Sequence, residues 1–339
     1  MYGTPVSRRR GTSGGSRVHT GGGRVLRRCV QAALDSADKS SVDRFGMQNS
    51  THGSEAGWAR MIGKPAAVAI GLIVVTACVT SPRSREASVH LGDYEPALRL
   101  RRIDGIEDNA SGLTYSARGD SLFLITNRPP AIVELSLHGQ VKRRIELNGF
   151  EDTEGIAWIE EETFAVVEER RGTIAVIVIE QTTEAIDYES AVVINVADSS
   201  AGNAGLEGLA YDRHGERFFA VKESAPKRGY EIGWNRGAEH AAEVGLCEDM
   251  AAAVDGLLDL SGVYFDHRTG NLLILSDESS RVVELGEKGE ATSQLDLSTD
   301  LPGLRPSPTQ VEGITMDERR NIYICGEPSE FYVFSPREP

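Results

Sequence analysis

Cysteine and histidine are scarce in this chain, and no apolar run is long. Only 4 cysteines and 7 histidines occur in 339 residues, and none falls at a spacing that would close a zinc site. No Gly-x-Ser-x-Gly segment is present to carry a nucleophilic serine on a strand-to-helix turn. Aromatic residues make up 6% of the chain. The longest apolar run, Ala66 to Ala77, falls short of the roughly 20 residues that cross a bilayer as a helix. The chain therefore offers no zinc module, no serine-hydrolase elbow and no membrane-spanning helix.

Charge divides the chain in two. Before Met61 stand ten Lys/Arg and four Asp/Glu in a stretch rich in Arg, Gly and Ser; from Met61 onward 26 basic residues face 47 acidic ones, a net of −21. Residues 1–60 show no hydrophobic period and read as disordered or as a misplaced start, with Met47 and Met61 as the alternatives. A surface as acidic as the remainder repels phosphate backbones, so no nucleic-acid partner is expected, and cations are the natural counterparts.

Residues 61–78 carry the order of a secretory signal, a basic start at Lys64, the short apolar core and small residues before Cys78. Val75-Thr76-Ala77-Cys78 resembles a bacterial lipobox, which makes Cys78 the expected site of lipidation and residues 79–96 a tether. Such a protein would sit in the cell envelope on the periplasmic face, held to the membrane by its N-terminal lipid. Val79 lacks the Asp associated with inner-membrane retention, which favours the outer membrane in a Gram-negative cell. Cys247 and Cys325 remain; pairing and burial as free thiols are both open.

What is abundant is repetition. A small or acidic residue, Gly, an aliphatic residue and then an aromatic or Met recur at Ser111-Gly112-Leu113-Thr114-Tyr115, Glu154-Gly155-Ile156-Ala157-Trp158, Glu207-Gly208-Leu209-Ala210-Tyr211, Ser261-Gly262-Val263-Tyr264-Phe265 and Glu312-Gly313-Ile314-Thr315-Met316. Glycine-to-glycine steps are 43, 53, 54 and 51 residues, the length of a four-stranded propeller blade. After each phrase come a β-forming run (122–126, 163–167, 217–221, 272–276, 322–325) and a third strand (131–137, 173–179, 230–234, 281–285, 331–334). Fourth strands are expected at 141–147, 191–196 and 293–297, and 97–103 is expected to return to the last unit and close the ring. The expected fold is all-β, a five-bladed propeller over 97–335. Residues 235–256 stand out as Ala-rich and helix-capable, a partial lid over one face, and Pro302 to Pro308 as a proline-ordered loop.

Equivalent positions of the innermost strands converge on the propeller axis. Ser111, Glu154, Glu207, Ser261 and Glu312 share one such slot, so three carboxylates are expected to meet. Repulsion there is relieved by protons or by a cation, and an oxygen-only ligand set favours a hard divalent ion, Ca2+ above others. Glutamates that merely cap amides and face water are the other reading. Asn127, Glu169, Glu223, Asp277, Glu278 and Glu327 end the second strands and rim the same opening, an acidic mouth for a protein or small-molecule ligand.

These phrases, with Asp259-Leu260-Ser261-Gly262, Leu273 to Ser279 and Val311-Glu312-Gly313-Ile314, resemble the bacterial SdiA-regulated family from about Leu98 to Phe334. The resemblance implies a five-bladed propeller, distantly like NHL-repeat, paraoxonase and gluconolactonase propellers, with bound calcium. It carries metal ligation onto Glu154, Glu207 and Glu312, with Ser111 and Ser261 departing from an all-acidic pattern. Two functions stay open. One is a calcium-bearing binding module; the other is a calcium-dependent lactonase or esterase using Glu169 or Glu223 as base, with His240 as the histidine able to reach the mouth.

Overall fold

The computed structural model describes residues 86–196, 205–223, 226–235, 242–247, 250, 256–298 and 308–337. Outside them lie residues 1–60, the expected signal segment 61–78 with Cys78, residues 79–85 of the expected tether, His240 and nearly all of the 302–308 loop.

Five antiparallel sheets form the ring. Blade 1 consists of β2 (Ala110–Ser116), β3 (Ser121–Asn127), β4 (Pro130–Leu135) and β5 (Val141–Asn148). Blade 2 is β6 (Thr153–Glu160), β7 (Thr163–Glu168), β8 (Thr173–Val178) and β10 (Val192–Asn195). Blade 3 is β11 (Leu206–Asp212), β12 (Arg217–Lys222), β13 (Arg228–Trp234) and β14 (Ala242–Leu246). Blade 4 is β15 (Gly262–Phe265), β16 (Leu272–Ser276), β17 (Arg281–Leu285) and β18 (Ala291–Asp296). Blade 5 is β19 (Val311–Met316), β20 (Ile322–Gly326), β21 (Glu330–Pro336) and, on its outside, β1 (Tyr94–Arg102) from the other end of the domain. Leu98 opposite Val333 and Arg102 opposite Glu330 fix that closing register.

Burial explains the strand composition. Inner strands are packed on both faces by neighbouring blades, so they are buried almost end to end, whereas the outermost β5 buries only Ile145 and Leu147 in alternation. The core is five cores, one between each pair of blades. Between blades 2 and 3, for example, Val167, Ile174 and Val176 meet Leu209, Phe218 and Trp234. The fifth joins the chain's two ends, setting Tyr323, Cys325 and Phe331 against Leu113, Leu122 and Leu124. Cys247 and Cys325 are both buried, and neither is in a disulfide among the described residues.

Three expectations change. Residues 242–246 form β14 instead of part of a helical lid, because β13 needs an outer partner and sheet pairing outweighs alanine's helix preference; the rest of that insertion lies largely outside the described residues. The tether's described part is docked: Val89, Leu91 and Tyr94 are buried, and the fully buried Glu284 accepts hydrogen bonds from Val89 N–H (2.6 Å) and Ser88 Oγ (2.7 Å). Finally, β9 (Ala185–Asp187) pairs in parallel with β5 as a fifth strand of blade 1, which the repeat did not signal.

The axis is a ring of glycines. A methyl group on Gly112 would stand 2.6 Å from the Glu154 carbonyl, on Gly155 2.7 Å from the Glu207 carbonyl, and on Gly313 2.7 Å from Leu113 N, all backbone atoms. Between them remains a cavity of about 10 Å³, at the limit of one water. Gly155→Ala is expected to destabilise the fold by about 2 kcal/mol or more, because overpacking against backbone finds no rotamer to relieve it. Gly245, with nothing within 4 Å of an added methyl group, should tolerate Ala within about 0.5 kcal/mol. Urea unfolding of both variants checks this; coincident midpoints would remove the packing argument.

Candidate functional site

Four of the five inner strands enter the ring through the same irregularity. In β2/β3, β6/β7, β11/β12 and β19/β20 the pairing skips one residue, and the residue skipped is the one before the glycine: Ser111, Glu154, Glu207 and Glu312. A bulge of this kind re-aims a side chain away from the pleat. In blade 4 Ser261 lies just before β15, its N–H bonded to the Leu275 carbonyl at 3.0 Å. The bulge is prepared two residues earlier, where Asn109, Asp152, Gly205 and Gln310 all take positive φ, from 46° to 65°. Asn, Asp and Gly are the residues that tolerate it best.

Two tiers of side chains result. The inner tier is Ser111, Glu154, Glu207, Ser261 and Glu312. The outer tier follows the second strands, where Asn127, Glu169, Glu223, Asp277 and Glu327 hold equivalent places. Main-chain bonds fix several of them: Glu169 N to Asp152 O (2.9 Å), Glu223 N to Gly205 O (3.3 Å) and Glu327 N to Gln310 O (2.9 Å). Asp277 accepts from Val311 N at 2.9 Å, which ties blade 4 to blade 5. Glu278 is exposed outside this ring. Glu168, beside Glu169, turns into its blade and is bound by Arg171 (2.8 Å), Thr173 Oγ1 (3.0 Å) and Glu151 N (2.8 Å).

At three steps of the ring an outer residue acts on the inner residue of the next blade. Asn127 Nδ2 donates to Glu154 Oε1 at 3.0 Å, a favourable pair. The next step sets Glu169 near Glu207, and further round Asp277 near Glu312, so carboxylate faces carboxylate. Burial, partly offset by Asn127 and Ser111, pushes Glu154 up to about 7. Burial and then the charges of Glu154, Glu169 and Glu223 push Glu207 up to about 9. Burial and then Glu207, Glu327 and Asp277 push Glu312 up to about 10. Glu223, Asp277 and Glu327 are raised as well, burial first.

Among the described residues, one group of three His, Cys, Asp or Glu places ligand atoms all within 4.8 Å of one another: Asp152, Glu154 and Glu169. Two of these were expected in the mouth; Asp152 was not. Its signal was its place three before the glycine, where a left-handed turn selects Asn, Asp or Gly. Asp152 is already paired with Arg128 and Arg170, each at 3.0 Å. The three inner-tier glutamates do not form such a close group; they act on one another electrostatically across the axis. Two buried oxygens of the tiers, Asn127 Oδ1 and Ser261 Oγ, have no protein partner.

The described histidines stand elsewhere. The strand directions place His90, His138, His214 and His267 on the opposite face, where the inner strands end. A five-bladed ring with an acidic, oxygen-lined mouth is thus the class of structure formed here. The model of the SdiA-regulated family matches residues 86–335, and the chain belongs to that family. Solved structures with similar backbones include a chain of a nidogen/laminin complex (15% identity, covering 65% of this chain and 73% of that one, TM-score 0.43). A luciferin-regenerating enzyme matches at 11% identity over 71% of this chain and 94% of its own, TM-score 0.43. A catalytically inactive virginiamycin B lyase from Staphylococcus aureus with quinupristin matches at 11% over 67% and 66%, TM-score 0.38.

Raised carboxyl groups make the metal-free protein sensitive to pH in a stated direction. Unfolded glutamates lose their protons near 4.5, while folded Glu154, Glu207 and Glu312 hold theirs to about 7, 9 and 10. Between those limits the folded state binds more protons, so stability falls as pH rises. With EDTA present, the melting temperature is expected to decline from pH 5 to pH 9, and Glu207→Gln to flatten the decline. A wild-type profile level across that range would remove the convergence argument.

Proposed function

We propose that this chain is a lipid-anchored protein of the cell envelope, its calcium-bearing propeller displayed at the periplasmic face as a binding module for a protein or small molecule. One observation carries the metal. Carboxylates that repel one another are built into the same mouth as two buried oxygen atoms, Asn127 Oδ1 and Ser261 Oγ, that lack a partner. A cation answers both. The donors are all oxygens, which suits a hard ion of loose coordination. Glu154, Glu207 and Glu312 would hold it, with Ser261, Ser111 and the Asn127 amide oxygen beside them. The bound ion would supply positive charge where the metal-free ring otherwise retains protons.

The outer tier and the exposed Glu278 would then present the ligand-binding rim. The hydrolase reading finds less support, since no described histidine stands at the mouth, leaving Glu169 and Glu223 as the acid–base groups. The lipid anchor rests on Val75-Thr76-Ala77-Cys78.

Calcium at 100 times Kd is expected to stabilise the fold reversibly by about 2.7 kcal/mol at pH 8, read as a rise in the melting temperature. Glu207→Gln should lose most of that gain and EDTA should abolish it. An unchanged midpoint in wild type would remove the metal, and calcium-dependent hydrolysis of lactones or aryl esters would replace the binding module with an enzyme. Incorporation of a fatty-acid label, lost in Cys78→Ser, checks the anchor.

A further inference from the structure

The ring has a second depression, and it lies on the face away from the acidic mouth. A cavity of about 290 Å³ opens where the inner strands end, close to the lower size of small-molecule sites. Its floor is the aliphatic residue after four of the five glycines, Leu113, Leu209, Val263 and Ile314, which also line the small cavity at the glycine ring. Tyr115, Trp158 and Phe265 stand in the walls. The cavity at the glycines holds about 10 Å³, so nothing passes through to the mouth.

The rim's charges are mostly spent on the fold. Asp266 is held by Arg320 at 2.7 Å and by Thr269 Oγ1 at 2.7 Å. Asp317 turns into blade 5 and accepts from Arg319 N, Asn321 N, Asn321 Nδ2 and Tyr323 OH. The Arg268 guanidinium rests on the Glu318 carbonyl. Arg213 differs: its guanidinium carbon stands over the Trp158 ring, 4.9 Å from the centroid, with no carboxylate in ion-pair distance among the described residues. Beside it, His267 Nδ1 is buried in the cavity wall without a partner. Burial, and next the Arg213 charge, pushes His267 down to about 4, which keeps the imidazole neutral.

We propose that this cavity is a ligand site for a small organic anion with an apolar, ring-bearing body, its carboxylate on Arg213, its ring on the aliphatic floor beside Trp158, and a polar group on His267. The glycine ring separates it from the acidic mouth, so it stands whether or not the mouth binds calcium. An arginine already stacked on an aromatic face loses little freedom on binding, and its planar fork suits a carboxylate. Of the other arginines on this face, Arg118 is paired with Glu162 at 2.6 Å, Arg320 with Asp266, and Arg268 is bound to the Glu318 carbonyl without stacking on an aromatic ring.

The test uses the full chain and three probes of one shape, phenylacetate, 2-phenylethanol and 2-phenylethylamine, titrated by saturation-transfer NMR. The anion is expected to bind saturably in the millimolar range and about tenfold more tightly than the alcohol, with the amine weakest. Arg213→Gln, an exposed turn substitution, should erase the preference for the anion, while Arg118→Gln on the same face should keep it. No saturable binding of phenylacetate, equal binding of anion and alcohol, strongest binding of the amine, or a preference that survives Arg213→Gln would each overturn the proposal.

Discussion

Close approach at the axis governs the rest of this molecule. Five strands meet there with less than a methyl group of room, and each glycine has its neighbour's backbone where a side chain would be. Because the strand cannot carry a side chain inward at that point, the residue before it takes the position, thrown out of register by a bulge. The same geometry that demands glycine therefore lines the mouth with its predecessors. In three blades the predecessor is glutamate.

An acidic mouth built this way holds charges that the fold does not compensate within itself. Where a neutral amide stands next in the ring, as Asn127 does beside Glu154, the carboxylate is satisfied and its shift is the smallest of the three. Where another carboxylate stands next, beside Glu207 and Glu312, burial and repulsion add and the shifts grow. Elsewhere buried acids are fully served, Glu284 by two serines, an asparagine and a backbone N–H, and Glu168 by Arg171, Thr173 and a backbone N–H. The contrast is between acids that hold the fold and acids left for a partner.

Much of this was legible in the residues because it repeats. Five glycine phrases gave the blade number, the inner strands and the closing strand, and the outer tier followed from where each second strand ends. What escaped the sequence is what occurs once. Residues 242–246 look helical by composition and become a strand because β13 lacks a partner. Ala185–Asp187 pairs with β5 through a contact between blades that no local pattern encodes. Asp152 hid in a slot filled by Asn109, Gly205, Asp259 and Gln310 in the other blades, so side-chain chemistry alone did not mark it; the left-handed backbone it shares with Asn109, Gly205 and Gln310 does. Val89 and Leu91 dock before the first blade because the groove between blades 4 and 5 is open to them.

The glycine ring also makes the two faces chemically separate while joining them mechanically. Oxygen acceptors and carboxylates crowd one side, where Arg128 and Arg170 are committed to Asp152; every described histidine, Arg213 and the aromatic wall lie on the other. Solute cannot pass, yet the strands are continuous: Gly155 is followed by Ile156 and then Trp158, whose N–H donates to Thr114 Oγ1 at 3.0 Å, and Tyr115 N–H likewise donates to Thr315 Oγ1 at 3.0 Å. These bonds tie blades 1, 2 and 5 just below the ring. A shift in the bulge at Glu154 would be carried four residues along β6 to Trp158, under Arg213. Packed interiors transmit such displacements because they have little free volume to absorb them.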